Sequence, residues 1–91
     1  MLKVTDETAA ILRGLHPEIR SIIKAALKTV LESPHAGKLL KDNLKGLRSY
    51  RVKRYRIIYR IRPDENHLEI IAIGPRKNIY EETFRLIQKR K

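Results

Sequence analysis

Residues 49–61, SYRVKRYRIIYRI, restrict the possible folds of this chain more than any other segment. The segment is rich in aromatic and β-branched residues, and its side chains alternate with a period of two, which is typical of β-strands. It is long enough for two strands, so we predict a hairpin that turns at Lys53-Arg54. After a predicted turn over residues 63–66, the nearly continuous apolar run from His67 to Ile73 indicates a central strand buried on both faces.

Two helices are predicted before these strands. Asp6 can cap a short helix, and Gly14 can end that helix in the left-handed conformation. Pro17 suits the first position of a second helix. Apolar residues then recur at helical spacing until Pro34 stops the helix, so the pair is expected to form an antiparallel helical hairpin.

The remaining segments complete one domain over residues 1–91. Residues 1–4 are compatible with a short first strand, and residues 35–48 with a connecting loop. Asn78 can cap a final helix, with Glu81 in its first turn. The predicted order is β-α-α-β-β-β-α, an α+β fold with an antiparallel sheet, an N-terminal helical hairpin and a C-terminal helix.

Positive charge is concentrated in one part of the chain. The net charge is +11, and residues 38–62 carry +9 of it, with ten basic residues against Asp42. Such asymmetry indicates an anionic partner, and nucleic acid is favoured over a lipid surface because this stretch is mostly strand. A basic surface that only keeps the protein solvated is the alternative.

Several function classes are disfavoured by composition. Because there is no cysteine, disulfides and cysteine-based metal sites are excluded. The three histidines fall in predicted turns or at element ends, so we expect no histidine base, no metal and no cofactor. A small-molecule ligand is not expected either. Without a membrane span or a signal-peptide core, the chain is predicted to be cytoplasmic.

The predicted hairpin register brings cations together. A turn at Lys53-Arg54 places Arg51 directly opposite Arg56, where like charges repel unless an anion lies between them or both side chains extend into water. Arg76 and Tyr80 follow the adjacent strand. Such a cluster can cleave RNA, because the attacking group is the RNA's own 2′-hydroxyl and guanidinium groups stabilise the charge of the transition state.

The segments LKGLRSYRVKRYRIIYRI and IIAIGPRKNIY resemble the RelE/ParE toxin superfamily, and the resemblance extends over nearly the whole chain. It implies a bacterial or archaeal toxin that is neutralised by an antitoxin encoded beside it. RelE-type members cut mRNA in the ribosomal A site, whereas ParE-type members inhibit DNA gyrase and lack the cleavage residues.

The resemblance also implies catalytic roles for four residues. The lysine implicated in proton transfer corresponds to Lys53, the phosphate-stabilising arginines to Arg56 and Arg76, and the base-positioning tyrosine to Tyr80. Arg76 is in addition a possible acid toward the leaving 5′-oxygen. The RelE hairpin loop is longer than Lys53-Arg54, which leaves open whether Lys53 lies in the strand or in the turn, and Arg51 stands where RelE has a lysine.

We therefore predict a ribosome-dependent endoribonuclease, with a gyrase inhibitor or a plain RNA-binding module as alternatives. Its expected partners are the ribosome, mRNA and an acidic antitoxin, whose helix would displace or cover the final helix near Tyr80. Further contacts to RNA are predicted for seven cations within residues 38–62, namely Lys38, Lys41, Lys45, Arg48, Arg51, Arg54 and Arg60.

Overall fold

A five-stranded sheet organises the protein in the computed structural model, which describes residues 2–4, 6–62 and 67–89. The sheet order is β1-β5-β4-β3-β2. In chain order the elements are β1 (Leu2–Val4), α1 (Asp6–Gly14), α2 (Pro17–Glu32), β2 (Lys38–Leu39), β3 (Arg48–Val52), β4 (Tyr55–Arg62), β5 (His67–Pro75) and α3 (Ile79–Lys89). The predicted turn over residues 63–66 lies outside the described residues.

The predicted α+β class is confirmed, and three details differ from the expectation. Strand β1 joins the sheet parallel to β5, while the other three ladders are antiparallel. Residues 35–48 are more than a loop, because they include the edge strand β2 and a 3₁₀ turn over Asp42–Leu44. Gly14 lies within α1 and has no positive φ, so the predicted left-handed helix end was wrong.

The larger hydrophobic core lies between α2 and one face of the sheet. Ile23 and Val30 of α2 are fully buried against Ile57 and Tyr59 of β4. Their spacing of seven places both helical residues on one helix face, as the apolar periodicity predicts. Helix α1 contributes Leu12 to this layer. This face of the sheet is therefore closed to ligands, and any site on the sheet has to lie on the other face.

A β-bulge in β5 explains why that strand lacks simple alternation. Ile58 pairs with Ala72 and the next residue, Tyr59, pairs with Ile70, which leaves Ile71 as the extra residue. Ile71 and Ala72 consequently both face the second core, whereas Ile70 and Ile73 face the first. The prediction of a central strand buried on both faces is confirmed.

Helix α3 packs on the opposite face of the sheet. Ile79, at its first position, is buried with Leu47, Ile58 and Ile71. Close approach is possible because residue 74 is glycine: a Cβ there would lie 3.0 Å from the Ile79 Cδ1 atom. The start of α3 is therefore held directly over the end of β5, next to the basic hairpin.

Candidate functional site

The β3–β4 hairpin turns at Lys53-Arg54, as predicted, and sets the register of the basic strands. Val52 pairs with Tyr55, and Arg51 lies directly opposite Arg56. Lys53 occupies the turn and not the strand, with a φ of +55°. A left-handed conformation costs a side-chain-bearing residue roughly 1–2 kcal/mol. The hairpin therefore holds an exposed lysine at its tip in a backbone conformation that glycine would adopt more easily.

Arg56, Ser49 and Tyr80 form a bonded cluster on the α3 face of the sheet. The Arg56 Nη1 atom donates a hydrogen bond to Ser49 Oγ at 3.1 Å, and the Tyr80 hydroxyl donates to the same oxygen at 3.2 Å. The Arg56 Cζ atom lies 5.6 Å from the centre of the Tyr80 ring, within the range of a cation–π contact. Ser49 is 2% exposed and Tyr80 36% exposed, so a buried hydroxyl supports two side chains that reach the surface.

An open cleft of about 490 Å³ adjoins this cluster at the tip of the hairpin. Five of its six lining residues are cationic, namely Arg51, Lys53, Arg54, Arg76 and Lys77, and the sixth is Pro75. The backbone N–H of Arg76 donates to the Arg54 carbonyl oxygen at 2.7 Å, which ties the end of β5 to the hairpin turn. Mutual repulsion among these cations is relieved when a polyanion binds between them.

The four predicted catalytic residues thus fall into two adjoining groups. Arg56 and Tyr80 are in contact through Ser49, whereas Lys53 and Arg76 line the cleft. Arg51 connects the groups, since it lines the cleft and lies opposite Arg56 in the ladder. The arrangement can hold a phosphodiester between guanidinium groups and offers a ring face to a base.

The residues predicted to contact RNA are more dispersed. Lys38, Lys41 and Lys45 are exposed on the β2 side of the sheet, and Arg54 lines the cleft. Two arginines have partners within the protein: Arg48 donates to the Gly37 carbonyl oxygen at 2.9 Å, and an Arg60 nitrogen lies 4.0 Å from a Glu69 carboxylate oxygen. Arg60 lies four residues from Arg56, roughly 13 Å along an extended strand, away from the cleft.

Tyr59 anchors the segment that carries the exposed lysines. Its hydroxyl donates to the Pro34 carbonyl oxygen at 2.6 Å and accepts from the Gly37 N–H at 3.0 Å. Burial raises the pKa of this phenol above its ordinary value of 10.0, so it stays protonated at neutral pH. A Cβ at position 37 would lie 2.5 Å from the hydroxyl oxygen, so only glycine fits beside it. The segment from Pro34 to Gly37, which leads into Lys38, is therefore fixed to the sheet.

Sequence reasoning missed two contributors to the site. Ser49 received no predicted role, because its contact with Tyr80 spans 31 positions in the chain. Lys77 lines the cleft beside Arg76 but was not among the predicted site residues. A polar residue between aromatic and arginine neighbours in a strand was the available signal for Ser49.

The described residues contain no group of three His, Asp or Glu side chains that could hold a metal ion. In the same part of the chain, every helix is too short or too polar to cross a membrane.

Sequence comparison connects the chain with a toxin family. The family model described as "ParE toxin of type II toxin-antitoxin system, parDE" matches residues 2–80, which is most of the chain. No curated protein sequence matches the chain.

Several solved structures of similar fold are RelE toxins, alone or in complex with an antitoxin. A mutant E. coli RelE toxin in the free state superposes with a TM-score of 0.79 at 21% identity, covering 99% of this chain and 95% of that one. A chain of the Mycobacterium tuberculosis RelBE2 toxin–antitoxin complex gives 0.74 at 27% identity, covering 84% and 90%. A chain of the intact E. coli RelBE complex gives 0.73 at 20% identity, covering 85% and 96%.

Proposed function

The chain belongs to the ParE toxin family of type II toxin–antitoxin systems, within the RelE/ParE superfamily, and from this premise we propose that it is a ribosome-dependent endoribonuclease that cleaves translated mRNA. One observation carries the proposal: the Arg56–Ser49–Tyr80 cluster adjoins a cleft lined by five cations. The cluster and the cleft together present guanidinium groups for a phosphate and a ring face for a base.

The proposed reaction uses the 2′-hydroxyl of the RNA as nucleophile. Its oxygen attacks the adjacent phosphorus and loses its proton, the bond from phosphorus to the 5′-oxygen breaks, and the products are a 2′,3′-cyclic phosphate and a 5′-hydroxyl. Lys53 is the proposed proton acceptor and needs to be neutral to serve as one. Arg56 and Arg76 stabilise the charge that develops on the phosphoryl oxygens, and Tyr80 stacks on a base to hold the geometry for in-line attack.

Arg76 is better suited to hydrogen bonding than to proton transfer. A guanidinium group does not lose its proton in proteins, so Arg76 can stabilise the leaving 5′-oxygen by donating a hydrogen bond to it. The proton that this oxygen finally takes up then comes from water or from protonated Lys53. The role proposed for Arg76 is therefore electrostatic stabilisation of the leaving group and not that of an acid.

The ribosome is proposed to orient the RNA for attack, because the cluster contains no strong base. At neutral pH lysine and arginine side chains are ordinarily protonated and tyrosine is a neutral phenol, so none of them is an effective base and cleavage of free RNA should be slow. Orienting the reacting atoms can contribute several kcal/mol toward lowering the barrier. The exposed Lys38, Lys41 and Lys45 are proposed to contact ribosomal RNA without sequence preference. These partners also imply a cytoplasmic location.

An antitoxin is the second proposed partner. Two of the similar structures, E. coli RelBE and M. tuberculosis RelBE2, are toxin–antitoxin complexes, and by analogy this chain is proposed to bind a cognate antitoxin. The +9 charge of residues 38–62 favours an acidic one. Its helix is proposed to cover α3 near Tyr80, where it would block the cluster.

Inhibition of DNA gyrase is the competing function. Two observations favour it: the matching family model is described as a ParE toxin, and Lys53 lies in the turn instead of the strand. If the position of Lys53 prevents proton transfer, the basic surface would serve binding alone.

Mapping RNA ends in cells separates the two functions. We would express the toxin briefly in bacteria that carry two matched reporters, one with an intact start codon and one without, and map 5′ ends by primer extension. The proposal expects new ends only in the translated reporter, and none with the Arg56→Ala/Arg76→Ala double variant. Uncut message together with loss of gyrase supercoiling activity in vitro would refute the nuclease and support the inhibitor. Equal cutting of both reporters would refute ribosome dependence.

A further inference from the structure

Ser49 occupies the centre of the Arg56–Tyr80 contact. Its Oγ atom accepts hydrogen bonds from the guanidinium of Arg56 and from the hydroxyl of Tyr80, at 3.1 and 3.2 Å. Because a guanidinium has donors and no acceptor, the direction of the first bond is fixed by chemistry. Strand β3 thereby supplies one oxygen that connects a side chain of β4 with a side chain of α3.

The surroundings of Ser49 hold its Oγ atom in a fixed position. The residue is 2% exposed, it pairs with Ile58 on one side and with Lys38 on the other, and Ile58 is fully buried. A serine in the interior of a strand has no packing advantage, because strands favour β-branched and aromatic residues. The value of serine here is its hydroxyl, which is held by two ladders.

Arg56 needs such an anchor. Among the described residues, Ser49 is the only hydrogen-bond partner of the Arg56 side chain. The buried Nε–H of Arg56 has no acceptor there. Arg51 lies directly opposite and repels it. Without the Ser49 oxygen, repulsion and rotamer freedom would both favour turning the guanidinium away from Tyr80.

We infer that Ser49 is a positioning residue that holds the Arg56 guanidinium and the Tyr80 ring in one geometry, ready for a phosphate and its neighbouring base. This inference rests on the proposed nuclease function for its kinetic consequence. Its structural content, that the Ser49 hydroxyl orders Arg56, stands independently of which reaction the site performs. Ser49 is thus assigned to act through Arg56 and Tyr80 and not by touching the RNA.

The test compares Ser49→Ala with a matched control. Ser49→Ala removes the oxygen and keeps the Cβ atom, so the ladder bonds of β3 remain. Thr83→Val removes another buried hydroxyl, one that donates to the Ile79 carbonyl oxygen within α3. Both variants should fold. Because each lost hydrogen bond costs about 1 kcal/mol, or roughly 4–8 °C in a domain of this size, the melting temperature should fall by up to roughly 16 °C in Ser49→Ala, which loses two bonds, and by up to roughly 8 °C in Thr83→Val, which loses one.

The kinetic measurement is single-turnover cleavage of mRNA on programmed ribosomes. We expect Ser49→Ala to lower the bound-state rate about tenfold or more and to leave ribosome affinity unchanged, while Thr83→Val keeps the wild-type rate. In an Arg56→Ala/Tyr80→Ala background, where both partners of Ser49 are gone, Ser49→Ala should lower the rate further by less than about threefold, because residues that act as one unit are not additive. An equal loss in both backgrounds would overturn the inference.

A second measurement does not depend on the reaction. The heteronuclear NOE of the Arg56 Nε–H reports the order of the side chain on the picosecond to nanosecond timescale. It should fall in Ser49→Ala and stay at the wild-type value in Thr83→Val. If the wild type cuts no translated message, the proposed function fails while this readout still decides the role of Ser49. An unchanged NOE in Ser49→Ala overturns the inference even if the nuclease function stands.

Discussion

Replacing Arg56 or Arg76 with alanine tests the catalytic assignment most directly. Both guanidinium groups are proposed to stabilise charge that is larger in the transition state than in the bound substrate. Loss of one preorganised donor costs about 10²-fold or more in rate, or roughly 2.7 kcal/mol. We therefore expect each variant to cleave ribosome-bound mRNA at about one hundredth of the wild-type single-turnover rate or more slowly.

Stability should change much less than rate. Arg56→Ala loses the bond to Ser49 and the contact with the Tyr80 ring, but it also removes the repulsion with Arg51 across the ladder. Opposing changes of about 1 kcal/mol or less each leave a small net effect, since the side chain is partly exposed. Arg76 is exposed at the cleft, so Arg76→Ala should leave the melting temperature nearly unchanged.

Ribosome affinity and a charge-matched control complete the assay. Affinity should fall only slightly, because many other cations share the phosphate contacts. Arg85→Ala removes the same charge from an exposed site on α3, where Arg85 pairs with Glu81, and should keep the wild-type rate. If both catalytic variants cleave at a bound-state rate within about threefold of wild type, the assignment is refuted. It is equally refuted if their loss of activity follows only a loss of folded protein.

Five further substitutions, at two glycines, one tyrosine and two lysines, have expected effects that follow from the structure. Gly37→Ala should lower the unfolding free energy by on the order of 3 kcal/mol in denaturant titrations, because its Cβ would collide with the buried Tyr59 hydroxyl. Gly14→Ala, with open space around it, should instead raise it by about 0.4–1 kcal/mol; equal values for the two would contradict the packing argument. Burial raises the pKa of Tyr59 above 10.0, so the folded state favours the protonated phenol. The free energy of unfolding should therefore decrease as pH rises above 10, when the unfolded state loses this proton more readily than the folded state. In Tyr59→Phe this contribution is absent, so its unfolding free energy should decrease less over the same pH range. If the unfolding free energy of Tyr59→Phe decreases as steeply as that of wild type above pH 10, the effect assigned to Tyr59 is wrong. Replacing exposed Lys41 or Lys45 with alanine should reduce the salt dependence of ribosome binding by roughly one counterion each while the bound-state rate stays constant; a slower bound-state rate would place these lysines in the reaction itself.

The strand pairing of the β3–β4 hairpin could be predicted from the sequence, whereas two other features of the sheet could not. Alternation over residues 49–61 and the turn at Lys53-Arg54 together determined the register, so the pairing of Arg51 with Arg56 follows from the sequence alone. The bulge at Ile71 could not be predicted, because a strand that is apolar on both faces carries no alternation that would reveal an extra residue. The parallel placement of β1 was missed because three residues hold too little pattern to specify a partner strand.

The predicted basic residues separated into different environments once the chain folded. All of them contribute to the same charge excess in sequence, yet Arg54 lines the cleft while Arg60 lies beside Glu69. That ion pair depends on the register of β4 against β5, which the sequence-based prediction did not specify. Charge counts therefore predicted an anionic partner, but not which cations would meet it.

The sequence by itself determined the class of fold, the concentration of positive charge and the toxin superfamily, because these depend on periodicity, composition and linear motifs. Only the tertiary structure decided that the Ser49 hydroxyl connects Arg56 with Tyr80 and that the N–H of Arg76 binds the Arg54 carbonyl. Side-chain period follows from local backbone geometry, whereas contacts between residues 22 or 31 positions apart depend on how the packed layers dock. Gly74 permits that docking for α3, because a Cβ at this position would lie 3.0 Å from the Ile79 Cδ1 atom.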